Sequence, residues 1–197
     1  MGKHGTEYAR VEKDHYPSPD WVTEALAQYV ELKGRRVWEC ACGDGRMAEA
    51  LKRAGAHVYA TDVADYGYPE LDELLDFTLQ QPKIAFVDPR IITNPPYGKR
   101  TGKLAVRFAE TGLRHIGKRG LLALLLPADF HSAASRRHLF TDCEAFAAKI
   151  VLNQRIVWFD RTDGKKEAPR ENHSWFVWQC PRQYDPPVLL YADPTAG

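Results

Sequence analysis

The chain has 197 residues, 44% of them hydrophobic and 27% charged, with a formal net charge of +1; that suits one well-packed α/β domain and is too short for two full ones. Near-neutral charge excludes a polyanion binder that works through the field of the whole molecule, so any nucleic-acid contact must come from local basic clusters. The longest apolar run, Leu121 to Pro127, is far short of a membrane span, and Met1 to Asp14 has no apolar signal-peptide core, so the expectation is a cytoplasmic protein with no membrane partner.

Residues 1–15 read as a flexible arm. Pro17-Ser18-Pro19-Asp20 then precedes a helix over Trp21 to Leu32, with Trp21, Leu26, Tyr29 and Val30 on one apolar face, Asp20 as its cap and Gly34 as its terminator. Arg36 to Ala41 is a buried strand. A Gly-rich turn, Cys42 to Gly45, leads into a helix from Arg46 to Ala54, and His57 to Thr61 is a second strand closing on Asp62. Such a βαβ unit implies parallel strands with a right-handed crossover. A short helix is expected over Glu70 to Leu75, and a third strand near Phe77 or Ile84. Ile91-Ile92-Thr93 is a strand running into Asn94, Leu104 to Ile116 a helix, Gly120 to Leu126 a fully buried strand, and Ser132 to Phe140 another helix. Ile150 to Phe159 and Ser174 to Gln179 supply two closing strands, joined by the polar loop Asp160 to His173. In Trp175-Phe176-Val177-Trp178, alternation puts Trp175 and Val177 on one face and Phe176 and Trp178 on the other. The whole is an open α/β sheet.

Four cysteines are present, Cys40, Cys42, Cys143 and Cys180. Cys40 and Cys42 flank one residue, without the second pair or histidine spacing of a zinc site, so reduced, buried thiols and no metal are expected. His131 and His173 read as structural or surface residues.

Between the first strand and its helix stands Glu39-Cys40-Ala41-Cys42-Gly43-Asp44-Gly45. Its glycines let the backbone turn sharply and approach a ligand, but the third glycine of a dinucleotide fingerprint is missing. Asp62, at the tip of the second strand, is placed to accept both hydroxyls of a ribose. Together they point to an adenosine-containing ligand.

Asn94-Pro95-Pro96-Tyr97 follows the fourth strand, at the edge where open α/β sheets put their ligands. Two prolines fix φ and leave their carbonyls free to accept, and Asn94 adds a side-chain carbonyl. An amino group can donate its two hydrogens to Asn94 and to the Pro95 carbonyl. Holding both hydrogens out of the ring plane pushes a conjugated nitrogen toward sp³ and exposes its lone pair to an electrophile. No proton-abstracting residue is required, and orientation alone has a ceiling of about 7–11 kcal/mol. Tyr97 offers a ring face for stacking a base, typically about 1–3 kcal/mol in nucleic-acid sites.

These motifs together resemble the class I amino-methyltransferases, especially the DNA N6-adenine enzymes of the γ type and their phage or prophage relatives, over roughly Tyr16 to Gln179. The resemblance implies a single Rossmann-like methyltransferase domain, residues 16–182, whose mostly parallel sheet has a final antiparallel strand, followed by a tail over 183–197. It implies S-adenosyl-L-methionine as cofactor. Tyr16, Pro17, Ser18 and Pro19 look like the upstream segment that packs on its methionine part. Glu39, Ala41, Gly43 and Gly45 match the first cofactor motif, Asp62 the ribose-binding acid, and Asp76-Phe77 the pair that contacts the adenine.

Positions 77 to 94 leave no room for a recognition domain between cofactor and catalytic motifs, and the chain after Tyr97 is mostly needed to finish the sheet. The expected activity is therefore methyl transfer to adenine N6 in DNA with limited sequence specificity. Lys99, Arg100 and Lys103 beside the catalytic loop, and Arg161, Lys165, Lys166 and Arg170 in the later polar loop, are candidates to grip phosphates around a flipped base; Arg136-Arg137 is a weaker one. Three alternatives stay open: the same chemistry on RNA adenine, the same chemistry on a protein glutamine amide, or a non-catalytic subunit of this fold that binds nucleic acid or a partner. The sequence is silent on oligomeric state.

Overall fold

The computed structural model describes residues 18–98, 102–158 and 171–193. Its strands are β1 (Arg36–Glu39), β2 (His57–Asp62), β3 (Glu73–Leu74), β4 (Arg90–Thr93), β5 (Leu121–Pro127), β6 (Phe146–Leu152), β7 (His173–Gln179) and β8 (Val188–Ala192). They form one sheet in the order β3-β2-β1-β4-β5-β7-β6-β8. Every pairing is parallel except those of β7, which runs antiparallel between β5 and β6. The α-helices are α1 (Asp20–Ala27), α2 (Arg46–Arg53) and α3 (Lys103–Ile116).

Period-two alternation sorts each strand between two cores. Val37, Ile92, Ala123, Leu125, Trp175 and Val177 face one way, against Val22 and Leu26 of α1 and Met47 and Leu51 of α2. Their neighbours Trp38, Ile91, Leu122, Leu124, Phe176 and Trp178 face the other, against Ala105, Phe108 and Ile116 of α3. Covered on both sides, β5 needs an unbroken apolar run, and its first six residues are all buried. The three buried indoles keep their donors satisfied: Trp38 Nε1 donates to the Thr61 hydroxyl (2.9 Å), Trp175 Nε1 to the Val22 carbonyl (2.8 Å) and Trp178 Nε1 to that of Leu139 (2.6 Å).

Several expectations are corrected. The helix α1 stops at Ala27 rather than Leu32, and Pro19, not Asp20, is its cap. Asp20 opens the helix and pairs with Arg53 of α2 at 2.7 Å. Gly34 instead turns the chain into β1, its N–H donating to the Gly55 carbonyl at 2.8 Å. The helix expected over 70–75 is replaced by β3. Here Asp72 captures Ala60 from both directions, its N–H donating to the Ala60 carbonyl (2.9 Å) and its carboxylate accepting from the Ala60 N–H (2.7 Å). That bridge lays the chain along β2, and among the described residues no strand forms at Phe77 or Ile84.

The helix expected over 132–140 is two 3-10 turns, Phe130–Ser132 and Ala134–Leu139, broken at the extended Ala133. The guanidinium of Arg136, 4.0 Å above the Phe130 ring and donating to the Phe130 carbonyl, folds the second turn back on the first. The strand placed at 150–159 runs over Phe146–Leu152 instead. The stretch read as a tail from residue 183 contains β8, which pairs in parallel with β6 along its length. The N-terminal arm lies outside the described residues. No helix among the described residues is long and apolar enough to cross a membrane.

Candidate active site

Successive crossovers leave β1 and β4 in opposite directions, so the sheet order reverses between them. Crevices outside the carboxyl ends of strands at such a point are where open α/β sheets bind ligands. Four strands end there on a hydrogen-bond acceptor: Asp76 just beyond β3, Asp62 on β2, Glu39 on β1 and Asn94 just beyond β4. Three strand spacings separate the first from the last, roughly 14 Å. That is the reach of an extended nucleoside joined to an amino acid.

Asp62 is buried, and its carboxylate is already oriented by backbone. One oxygen accepts from the Gly43 N–H (2.9 Å), the other from the Ala64 N–H (3.2 Å). The first bond ties the tip of β2 to the Gly-rich turn, where Gly43 and Gly45 both adopt positive φ and half-buried Ala41 leads in from β1. Asp76 directs one oxygen at the N–H and hydroxyl of Thr78 (2.9 and 2.8 Å). Its second oxygen is buried without a partner.

Glu39 is fully buried. One oxygen accepts from the Ala41 N–H at 3.1 Å, and the other makes no hydrogen bond. Burial raises this carboxyl to about 8; the nearby Thr93 hydroxyl and Ala41 N–H oppose the rise and the charge of Asp62 adds to it. The folded chain therefore keeps a proton that the unfolded chain has lost above its ordinary value of 4.5, and stability falls as pH rises toward 8. Below about pH 6.5 buried His173 acts in the opposite sense, its imidazole held down to about 4. The clean window is thus pH 6.5 to 8, where the loss amounts to at most about 2 kcal/mol. Melting temperature of the ligand-free protein should fall by several degrees across it, and Glu39→Gln should flatten the slope. A wild-type melting temperature constant from pH 6.5 to 8 would refute the raised value.

Asn94 stands at the end of β4 with its amide fixed at both ends. Its Nδ2 donates to Ser18 Oγ (3.2 Å), and its Oδ1 accepts from the Tyr97 hydroxyl (2.9 Å). The same hydroxyl lies 3.3 Å from the Leu125 carbonyl. Ser18, expected to pack on a cofactor, is also buried and anchors the 94–97 loop. Pro95 is buried, and Pro96 and Tyr97 are half-buried. One face of Tyr97 is taken by His173, with centroids 5.8 Å apart and planes 26° apart. Trp158 meets the same imidazole edge-on at 5.1 Å.

Phe77 does not join the row of acceptors at the strand tips. It is 2% exposed, and its ring packs on Trp38 and Phe108, both at 5.1 Å, so the structure gives it to the core. Lys103 is exposed on the first turn of α3. Tyr16, Pro17, Lys99, Arg100, Arg161, Lys165, Lys166 and Arg170 lie outside the described residues. Arg136 is engaged by Phe130, and Arg137 pairs with Asp142 (3.2 Å). All four cysteines are free, and no group of metal-ligating side chains occurs among the described residues.

Two cavities are lined by none of the four strand-tip acceptors. One of about 410 Å³ lies beneath residues 81–89 beside Trp38 and His115, and one of about 440 Å³ flanks Gly45 between α2 and Glu70. Sequence reasoning missed His173 as a neighbour of the 94–97 loop. Only the insertion of β7 beside β5, pairing His173 with Pro127, brings it there.

No protein-family profile matches the chain. A ubiquinone biosynthesis O-methyltransferase from Xylella fastidiosa is 48% identical over 46 residues, which is 23% of this chain and 17% of that protein. Among solved structures, a putative class I S-adenosylmethionine-dependent methyltransferase from Listeria monocytogenes superposes with a TM-score of 0.63 at 17% identity, covering 98% of this chain and 69% of that one. The methyltransferase subunit of a type I restriction-modification system from Streptococcus thermophilus gives 0.59 at 13% identity, covering 87% of this chain and 45% of that one. The likeness establishes the fold of class I methyltransferases.

Proposed function

We propose that the protein transfers the methyl group of S-adenosylmethionine to adenine N6 in DNA, with limited sequence preference and the base flipped to the 94–97 loop. The observation that carries this reading is the Asn94 amide, clamped between Ser18 and Tyr97 one strand away from the buried acid of β1. The buried oxygens of Glu39 and Asp76 that make no hydrogen bond fit the cofactor, because each needs a polar partner that the described chain does not supply. Glu39 would hold the methionine amino group, Asp62 the ribose hydroxyls and Asp76 the adenine amino group, with the Gly43–Gly45 turn giving backbone access. When bound, the cofactor supplies an activated methyl group on a sulfonium.

The chain's own residues hold and aim the acceptor. A carbonyl oxygen has two lone pairs, so Asn94 Oδ1 can keep the Tyr97 hydroxyl and accept an N–H of the substrate as well. The second N–H goes to the Pro95 carbonyl. With both hydrogens drawn out of the ring plane by Asn94 and Pro95, the nitrogen lone pair would be directed at the methyl group that the bound cofactor supplies, with the thioether as leaving group. The surplus proton on nitrogen passes to water. Lys103, exposed on the first turn of α3, would meet phosphate.

Support for DNA comes from the likeness to the methyltransferase subunit of a restriction-modification system. Incubation with methyl-labelled S-adenosylmethionine and separate pools of DNA, RNA and protein tests the reading. Label in N6-methyladenine of DNA is the expected result. Label confined to RNA adenine or to glutamine amides would move the same chemistry to another substrate. Failure to bind the cofactor at all would leave a non-catalytic subunit.

A further inference from the structure

His173 is 3% exposed, and both its ring nitrogens are buried without a hydrogen-bond partner. A buried imidazole with neither nitrogen satisfied is unusual, because native folds pair nearly all such groups. Burial also keeps the ring neutral, its pKa lowered to about 4, although the nearby Glu171 backbone favours the proton. A neutral imidazole carries one donor and one acceptor, and either nitrogen can take either role.

The position makes this mismatch informative. His173 opens β7 beside the end of β5 and stacks on Tyr97, whose hydroxyl is bonded to Asn94 Oδ1. The half-buried Trp158 meets the imidazole edge-on. Pure packing at this point would be served better by phenylalanine, which has the shape without the orphaned nitrogens.

We propose that His173 is a specificity-determining residue of the acceptor pocket, donating a hydrogen bond from its imidazole to a ring nitrogen beside the amino group that Asn94 holds. The inference rests on the function proposed above. In adenine the N6 amino group is flanked by two acceptors, N1 and N7, and either can receive that bond. Trp158, which meets the imidazole edge-on, gives way as the base enters, and the base takes its place against the ring. The unliganded protein carries an unsatisfied group that the correct substrate satisfies, and a planar amine without a neighbouring ring acceptor does not.

The test is a cycle between protein and substrate. His173→Phe keeps the ring against Tyr97 and removes both nitrogens; duplex oligonucleotides carrying 7-deazaadenine or 1-deazaadenine remove one acceptor each. His173→Phe should lower kcat/KM for adenine DNA by about 10–100-fold, and one of the two deaza substrates should lower it similarly with the wild type. Combining that substrate with His173→Phe should add little further loss. His173→Gln, which keeps a donor, should recover part of the activity.

The melting temperature of His173→Phe should hold or rise, since shape is kept and orphaned polar atoms are gone. A residue with only a structural role would instead lose stability in step with activity. Unchanged kcat/KM in His173→Phe, or fully additive losses with both deaza substrates, overturns the inference while leaving the methyl transfer intact. A wild type that modifies no adenine overturns the proposed function, and the inference with it.

Discussion

Replacing Asn94 with alanine should lower the rate of methyl transfer by about 10²–10³-fold, the scale on which losing one preorganised polar group aimed at a reacting centre is felt. Cofactor affinity should stay within about threefold, a change of under about 0.7 kcal/mol, because Asp62 and Glu39 sit on other strands. The asymmetry follows from where the side chain stands. Its amide contacts Ser18 and Tyr97, not the Gly43–Asp62 bridge that shapes the cofactor end. Single-turnover rates at saturating cofactor, with a separate binding titration, read the two quantities apart.

Two neighbouring substitutions make the result diagnostic. Asn94→Asp keeps acceptor oxygens but loses the donor to Ser18, so it should retain more activity than Asn94→Ala. Tyr97→Phe keeps the ring against His173 and removes only the hydroxyl that steadies Oδ1. About a tenfold loss is expected there, the value of roughly one hydrogen bond. Full activity in Asn94→Ala would end the mechanism. Loss of cofactor binding in the same variant would show instead that the loop is a structural support of the other half of the site.

Much of this arrangement was legible because it is written locally. The apolar run of β5 and the alternation of Trp175 to Trp178 announce strands covered on both faces, and they are found so. Asp62 and Asn94 fall at strand ends, and Gly43 and Gly45 in the turn between β1 and α2, where sequence order alone places them. What escaped depends on pairing between distant segments. Two residues make β3, and the pair of hydrogen bonds between Asp72 and Ala60 fixes them rather than any periodicity of their own. The run Val188 to Ala192 is as apolar as a strand should be, but only its parallel register with β6 makes it one. Phe77 was assigned to the ligand by likeness, and the space beside Trp38 claimed it for the core. The contact between Tyr97 and His173 was invisible for the same reason as β8: no local signal says that β7 enters between β5 and β6.

The largest stability effect should come from Gly45→Ala, because two independent penalties meet at that position. Gly45 has φ +87°, a conformation costing an L residue about 1–2 kcal/mol. An added Cβ would also lie 2.0, 2.3 and 2.5 Å from three carbons of the Tyr68 ring. That ring cannot swing aside freely. It is buried, and its hydroxyl is held by Glu49 (2.6 Å) and by Lys52 (2.7 Å), which is itself tied to Glu70. Relieving the collision means shifting this cluster or the turn, adding about 1–3 kcal/mol of overpacking. Gly67 supplies the control, with φ +82° and nothing within 4 Å of its hypothetical Cβ. Gly67→Ala should therefore lose only the conformational part, and the gap between the two variants in denaturant unfolding measures the collision. Equal losses would mean that the turn absorbs the methyl group. Gly45→Ala should also weaken the cofactor site more than Gly67→Ala, since the turn that moves is the one bonded to Asp62 through Gly43. Removing the ring in a Gly45→Ala, Tyr68→Ala double variant should cost less than the sum of the single changes, since the methyl group then has nothing to strike.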